Sequence, residues 1–173
     1  DSILGRTGND NLNGEEGDDF VDGGDGDDTL LGARGNDTIY GGTGNDSINS
    51  DLGNDTVYGG AGNDTVNGGG GNDILQGGTG NDFIVTGGGD NASGGDDRDT
   101  FWLDLRNVGS NNTLVIDGGT GSTAVNDADD YDRIDLNGAT IVPRSFQQTL
   151  DADGNSYSGT FQVVDPAGNT FTV

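Results

Sequence analysis

The sequence predicts an all-β coil in which tight turns alternate with very short strands, two of each to every coil. Three observations predict it: a period of nine, a glycine fixed at the fourth place of each period, and a lone aliphatic residue fixed at the eighth. Residues 5–85 run without insertion or deletion through GRTGNDNLN, GEEGDDFVD, GGDGDDTLL, GARGNDTIY, GGTGNDSIN, SDLGNDTVY, GGAGNDTVN, GGGGNDILQ and GGTGNDFIV. Residues 1–4 fit the last places of an earlier unit, so the chain is expected to be part of something longer.

Within each unit the elements follow in order. Position four is Gly8, Gly17, Gly26, Gly35, Gly44, Gly53, Gly62, Gly71 and Gly80, as expected where the backbone needs a positive φ that a Cβ would penalise. Position six is always Asp. Position eight is Leu12, Val21, Leu30, Ile39, Ile48, Val57, Val66, Leu75 and Ile84, flanked by polar or mixed residues. One inward side chain per three-residue strand follows from the two-residue alternation of β structure. A six-residue turn and a three-residue strand therefore make one unit, and two units return the chain to its starting side.

Composition narrows what such a coil can be. Only 28% of the residues are hydrophobic and 36 are Gly, too lean for an ordinary oil-drop core. The net charge of −25, from 31 acids against six Arg and no Lys, would hold a chain open unless counter-ions neutralise it, and it argues against nucleic acid as a partner. With no Cys, His or Met, oxygen is the only ligand type in quantity, which points to a hard cation such as Ca²⁺ or Mg²⁺. No apolar run approaches the roughly 20 residues of a membrane span, and no N-terminal stretch reads as a signal peptide.

The pattern G-G-x-G-x-D-x-U-x closely resembles the RTX (repeats-in-toxin) family of secreted bacterial proteins, over residues 1–102. The resemblance implies a right-handed parallel β-roll, a β-helix-like solenoid, with Ca²⁺ held between a turn and the turn one coil later.

Equivalent turns on one edge of a two-strand coil lie 18 residues apart, which sorts the position-six carboxylates into two files. Asp1, Asp19, Asp37, Asp55 and Asp73 form the first; Asp10, Asp28, Asp46, Asp64 and Asp82 form the second. Neighbours in a file should be about one strand spacing apart, roughly 4.8 Å, repulsive without a cation and able to share one. Four gaps per edge predict about eight Ca²⁺, or more if Asp99 extends the second file. Residues 1–85 hold 17 acids and two Arg, a net −15, against +16 from eight ions.

Two carboxylates cannot fill a calcium shell, so turn carbonyls must add ligands. The resemblance implies as donors the carbonyls of Gly23, Gly24, Gly26, Gly41, Gly42, Gly44, Gly59, Gly60, Gly62, Gly77, Gly78 and Gly80. Burying one Val, Leu or Ile contributes roughly 1.5 to 3 kcal/mol, while ordering nine residues costs on the order of 9 to 18 kcal/mol, so folding is expected to require the metal. Arg6, Glu15, Ala33 and Asp51 replace Gly at position two, and the Ser50, Asp51 pair departs furthest from the pattern.

After Val85 the nine-residue register is expected to fail over residues 86–93, with Asn91 at the place 18 beyond Asp73 and Ala92 and Ser93 in place of a strand. A last unit, 94–102, carries Asp97 where Gly belongs and places Asp99 17 residues after Asp82. Phe101 and Trp102 are read as closing the open end. Residues 103–173 are expected to be a β-rich capping region, with strands at 113–116, 133–136, 140–142, 145–150, 159–164 and 170–173 in an antiparallel cap that protects the roll's edges. Two acidic groups there, Asp127, Asp129, Asp130, Asp132 and Asp135, and the loop 151–155, read chiefly as solvated turns.

Catalysis is not expected, since no His, Cys or Lys is present to activate a nucleophile. The leading expectation is an extracellular calcium-binding module of a type I secreted bacterial protein, folding on Ca²⁺ after export and stabilising or capping a neighbouring domain of its parent. The alternative is a module that binds polysaccharide or a cell surface through outward aromatics such as Phe20, Tyr40, Tyr58 and Phe83, whose scatter argues against one groove. An ice-binding array of Thr7, Thr43 and Thr79 is interrupted by Asp25 and Ala61.

Overall fold

A computed structural model describes residues 1–104 throughout and, beyond them, the backbone at 115–117, 133–135, 140–141, 147–150, 157–160, 162–164 and 170–172. The described residues are all β, and most of them form a parallel solenoid of about six coils.

Odd-numbered strands stack into one sheet: β1 (Ser2–Thr7), β3 (Phe20–Asp25), β5 (Thr38–Thr43), β7 (Thr56–Ala61), β9 (Ile74–Thr79), β11 (Asn91–Asp96) and β13 (Val115–Asp117). Even-numbered strands stack into the other: β2 (Asn11–Asn13), β4 (Thr29–Arg34), β6 (Ser47–Leu52), β8 (Thr65–Asn67), β10 (Phe83–Thr86), β12 (Thr100–Leu103) and β14 (Arg133–Asp135). All neighbours in both sheets are parallel, with Val21, Ile39, Val57 and Leu75 in register across four coils.

Most strands are six residues long, twice the expected length. Each continues from positions seven to nine of one unit through positions one to three of the next, because the turn backbone also ladders between coils; Gly24 pairs with Gly42 and Asp25 with Thr43. Only positions four to six are left to turn. The core is a double row of position-eight side chains: Val21, Leu30, Ile39, Ile48, Val57, Val66, Leu75 and Ile84 are buried, and Ile3 and Leu12 are partly buried at the first coil.

Residues 86–93 do not break the roll. Asn91 pairs with Ile74 and Ala92 with Leu75, a spacing of 17, so this unit is one residue short and Ala92 enters the core row. Asp90, not Asn91, thereby takes position six. Phe101 is fully buried as the next core residue, whereas Trp102 points outward, edge-on to Phe83 at 6.1 Å. Neither ends the stack, since β12 pairs in parallel with β14, and β11 with β13. The strands expected at 113–116 and 133–136 thus extend the roll's two sheets instead of belonging to an antiparallel layer. Farther on, β15 (Thr140–Ile141), β18 (Gln162–Val164) and β19 (Thr170–Thr172) form one antiparallel ladder, and β16 (Gln147–Leu150) and β17 (Tyr157–Thr160) another. The segment expected as one strand at 159–164 is split between β17 and β18. Most of the acidic group at 127–135 and all of the loop 151–155 lie outside the described residues.

Candidate metal centre

The turns fall on two edges. Turns from even to odd strands carry Asp19, Asp37, Asp55, Asp73 and Asp90, with the exposed Asp1 ahead of them; turns from odd to even strands carry Asp10, Asp28, Asp46, Asp64, Asp82 and Asp99. Left-handed backbone shapes each turn: position four has φ 124° at Gly44 and 135° at Gly62. Position two is also left-handed except at Gly87, even where the residue is not Gly, with Arg6 at φ 82°, Glu15 at 74°, Ala33 at 78° and Asp51 at 72°. Side chains there are held against an unfavourable backbone, the mark of a turn dictated by its neighbours above and below.

One carboxylate oxygen in each file ties successive coils together. On the second edge Oδ1 of Asp28, Asp46, Asp64, Asp82 and Asp99 accepts the backbone N–H of the Asp one coil earlier, at 2.7 to 2.9 Å. On the first edge Oδ1 of Asp37, Asp55, Asp73 and Asp90 does the same, at 2.8 to 2.9 Å, and the terminal ammonium of Asp1 donates to Asp19.

The second oxygen has no such partner. Oδ2 of Asp10, Asp19, Asp28, Asp37, Asp46, Asp55, Asp64, Asp73 and Asp82 is buried and receives no hydrogen bond. Each of these except Asp55 lies against a glycine at position one of its own turn. A Cβ placed on Gly14 would lie 2.7 Å from Asp19 Oδ2 and 2.8 Å from the carbonyl oxygen of Gly32 in the next coil. The same pair of oxygens, both under 3.0 Å, meets a Cβ built on Gly5, Gly23, Gly32, Gly41, Gly59 or Gly77. Position one is thus glycine where a carboxylate oxygen and a carbonyl oxygen converge on one small space. Carbonyls at positions two and four, such as those of Gly24 and Gly26, point at the matching glycines one coil on.

A bare anion in that space is costly. Burial pushes the Asp46 carboxyl up to about 6 and those of Asp73 and Asp82 up to about 7, and it raises Asp37, Asp55 and Asp64, against the lowering effect of the backbone N–H each accepts. For Asp46 the carboxylates of Asp64 and Asp28 add to the rise. A hard cation reverses this: all the donors are oxygens, partly carboxylate and partly carbonyl, and the orphaned Oδ2 supplies its charge. No three acidic side chains cluster among the described residues, so carbonyls are needed to complete any shell.

A family model for the RTX calcium-binding nonapeptide repeat matches four times, over residues 1–30, 22–57, 31–66 and 58–92. The chain belongs to this family. No curated protein matches it at the level that would show closer kinship. RTX repeats bind calcium, and proteins of the family are typically secreted bacterial proteins. The RTX β-roll is a structural calcium-binding domain and not a catalytic fold.

Two departures from the RTX pattern alter individual hollows. Ser50 stands at position one of the Asp55 turn; it is fully buried, with its hydroxyl 2.8 Å from the Gly68 carbonyl and close enough to Asp55 to lower that carboxyl against the rise from burial. Thr86 stands at position one of the Asp90 turn, and its hydroxyl donates to Asp90 Oδ2 at 3.1 Å. Asp90 escapes a fixed nine-residue alignment; its signal is Gly87, Gly88 and Gly89 before an Asp, one residue early.

The outward aromatics are less scattered than their spacing suggests. Phe20, Tyr40 and Tyr58 form a ladder on the odd-numbered sheet, with centroids 5.6 and 4.8 Å apart. Tyr40 and Tyr58 stack at 11°, each covering a face of the other, while Phe83 sits on the other sheet. Of the threonines, Thr43 donates its hydroxyl to Asp25 at 3.1 Å. No helix of the described residues is long and apolar enough to cross a membrane.

Proposed function

We propose that this RTX module folds on binding Ca²⁺ outside the cell and stabilises or caps the larger protein it belongs to. Ca²⁺ sits between consecutive turns of an edge, on Asp10, Asp28, Asp46, Asp64, Asp82 and Asp99 of the second edge and Asp1, Asp19, Asp37 and Asp55 of the first. Carbonyls of Gly23, Gly24, Gly26 and their equivalents 18 residues apart, through Gly77, Gly78 and Gly80, complete the shells.

The buried Oδ2 file carries this reading. Without a cation, every coil adds two desolvated carboxylates and buries only two aliphatic side chains, and such a stack has too little apolar surface to offset its electrostatic and entropic cost. The antiparallel ladders beyond residue 139 supply the cap, shielding sheet edges that would otherwise pair with other chains. Low calcium inside the cell would keep the chain extended for export, and calcium outside would fold it.

Sedimentation velocity with and without chelator tests this. The reading predicts an expanded chain in chelator that compacts when Ca²⁺ is restored. An equally compact particle in both conditions would refute metal-driven folding.

A further inference from the structure

We infer that the turn at residues 86–90 closes without metal, so that the calcium file of the first edge stops short while that of the second edge runs on; this rests on the calcium reading above. Three observations meet at that turn. Asp90 Oδ2, unlike its counterparts from Asp10 to Asp82, is fully engaged, accepting the Thr86 hydroxyl at 3.1 Å and the Gly87 N–H at 2.6 Å. The Thr86 carbonyl, which as a position-one carbonyl would face a cation, instead accepts the N–H of Asp104 at 2.8 Å. Across the gap to Asp73, a Cβ on Gly68 meets Asp73 Oδ2 at 2.8 Å and then two Leu75 methyl groups at 2.9 and 3.3 Å, where the other hollows present a carbonyl oxygen under 3.0 Å.

Donors have replaced the cation. A carboxylate that accepts two protein hydrogen bonds at one oxygen and a third, from Asp73 N–H, at the other is satisfied as an anion within its own chain. A hydroxyl at position one also occupies the volume that glycine leaves open elsewhere, and in this unit, one residue shorter than the others, the Gly87 amide reaches the same oxygen. On the second edge the matching hollow, at Gly77, keeps Asp82 Oδ2 and the Gly94 carbonyl together.

Anomalous diffraction from crystals grown in calcium, with calcium content measured in parallel on Thr86→Gly and Thr86→Ser, tests the assignment. Expected are anomalous peaks along the second edge as far as the gap after Asp82, and none within ligand distance of Asp90. Thr86→Gly should take up one more ion per chain, while Thr86→Ser, which keeps the hydroxyl, should not. A peak at Asp90 in the parent protein alongside the others would overturn this inference and leave the calcium reading standing. Peaks nowhere would overturn both.

Discussion

The two edges of the roll carry the same file of aspartates and treat them differently. On the second edge position one is Gly5, Gly23, Gly41, Gly59, Gly77 and Gly94 without exception, and position two is glycine after Arg6. On the first edge position one reads Gly14, Gly32, Ser50, Gly68 and Thr86, and position two reads Glu15, Ala33, Asp51, Gly69 and Gly87. Strands β2 and β8 also stop short on that side, where Asn13 and Asn67 turn their side-chain oxygens onto the N–H groups of Glu15 and Gly69. A buried carboxylate can be stabilised by a cation in an open glycine-walled hollow, or by hydroxyl and amide donors that fill the hollow. The second edge uses the first solution from Gly5 to Gly77; the first edge mixes them.

Breaking one site on each edge should separate the two solutions most sharply. Asp64→Ala removes an Oδ2 from one gap and the acceptor of the Asp46 N–H, so it should lose at least one Ca²⁺ and destabilise the calcium-loaded roll by about 3 kcal/mol or more, read by thermal unfolding in fixed calcium. Asp90→Ala should lose no ion, its effect being confined to stability at about 1 to 3 kcal/mol for each buried donor it strands. Equal calcium loss in both variants would erase the distinction.

Ser50→Gly should convert a filled hollow into an open one. The variant removes the hydroxyl that lies against both the Gly68 carbonyl and the Asp55 carboxyl, and calcium content by mass spectrometry of the native protein should rise by one ion. An unchanged content would mean that the hydroxyl itself serves as a ligand.

Acid should act in opposite directions on the metal-free and calcium-loaded chains. Carboxyls raised to about 6 at Asp46 and about 7 at Asp73 and Asp82 hold protons in the folded state that the unfolded chain, titrating near 3.8, has released. The metal-free roll therefore loses stability as pH rises through that window and gains strand content as pH falls toward 4, while calcium affinity declines over the same fall because each ion displaces protons. Circular dichroism in chelator and calcium titrations at pH 8 and pH 5.5 check the two halves.

The smallest effect is expected away from both edges. Tyr40→Ala unstacks the aromatic ladder and should cost about 0.5 to 1.5 kcal/mol beyond the lost area, with no change in calcium content.

Much of this was legible in the sequence. Position eight identified the buried row from Val21 to Ile84, and the 18-residue spacing sorted the aspartates onto two edges. What escaped has physical causes. A repeat unit does not show how far its ladder extends, so the turn residues Gly24 and Asp25 read as loop although they pair with the next coil as strand. A fixed period steps over a unit that has lost a residue, which hid Asp90 and made Ala92 look misplaced. Phe20 occupies position seven and Tyr40 position nine of equivalent units in successive coils, and only the diagonal reach of large side chains across parallel strands brings them together. The replacement of glycine by Ser50 was visible as a departure, but which oxygen its hydroxyl would reach depends on the coil above.

The central claim is most directly tested by calorimetric calcium titration of chelator-stripped protein, followed in parallel by circular dichroism. The open hollows, at Gly5, Gly23, Gly41, Gly59 and Gly77 on the second edge and Gly14 and Gly32 on the first, predict cooperative uptake of about seven ions together with the appearance of strand. One or two ions bound by a chain that is already folded would contradict it, and the aspartate files would then be turn chemistry alone.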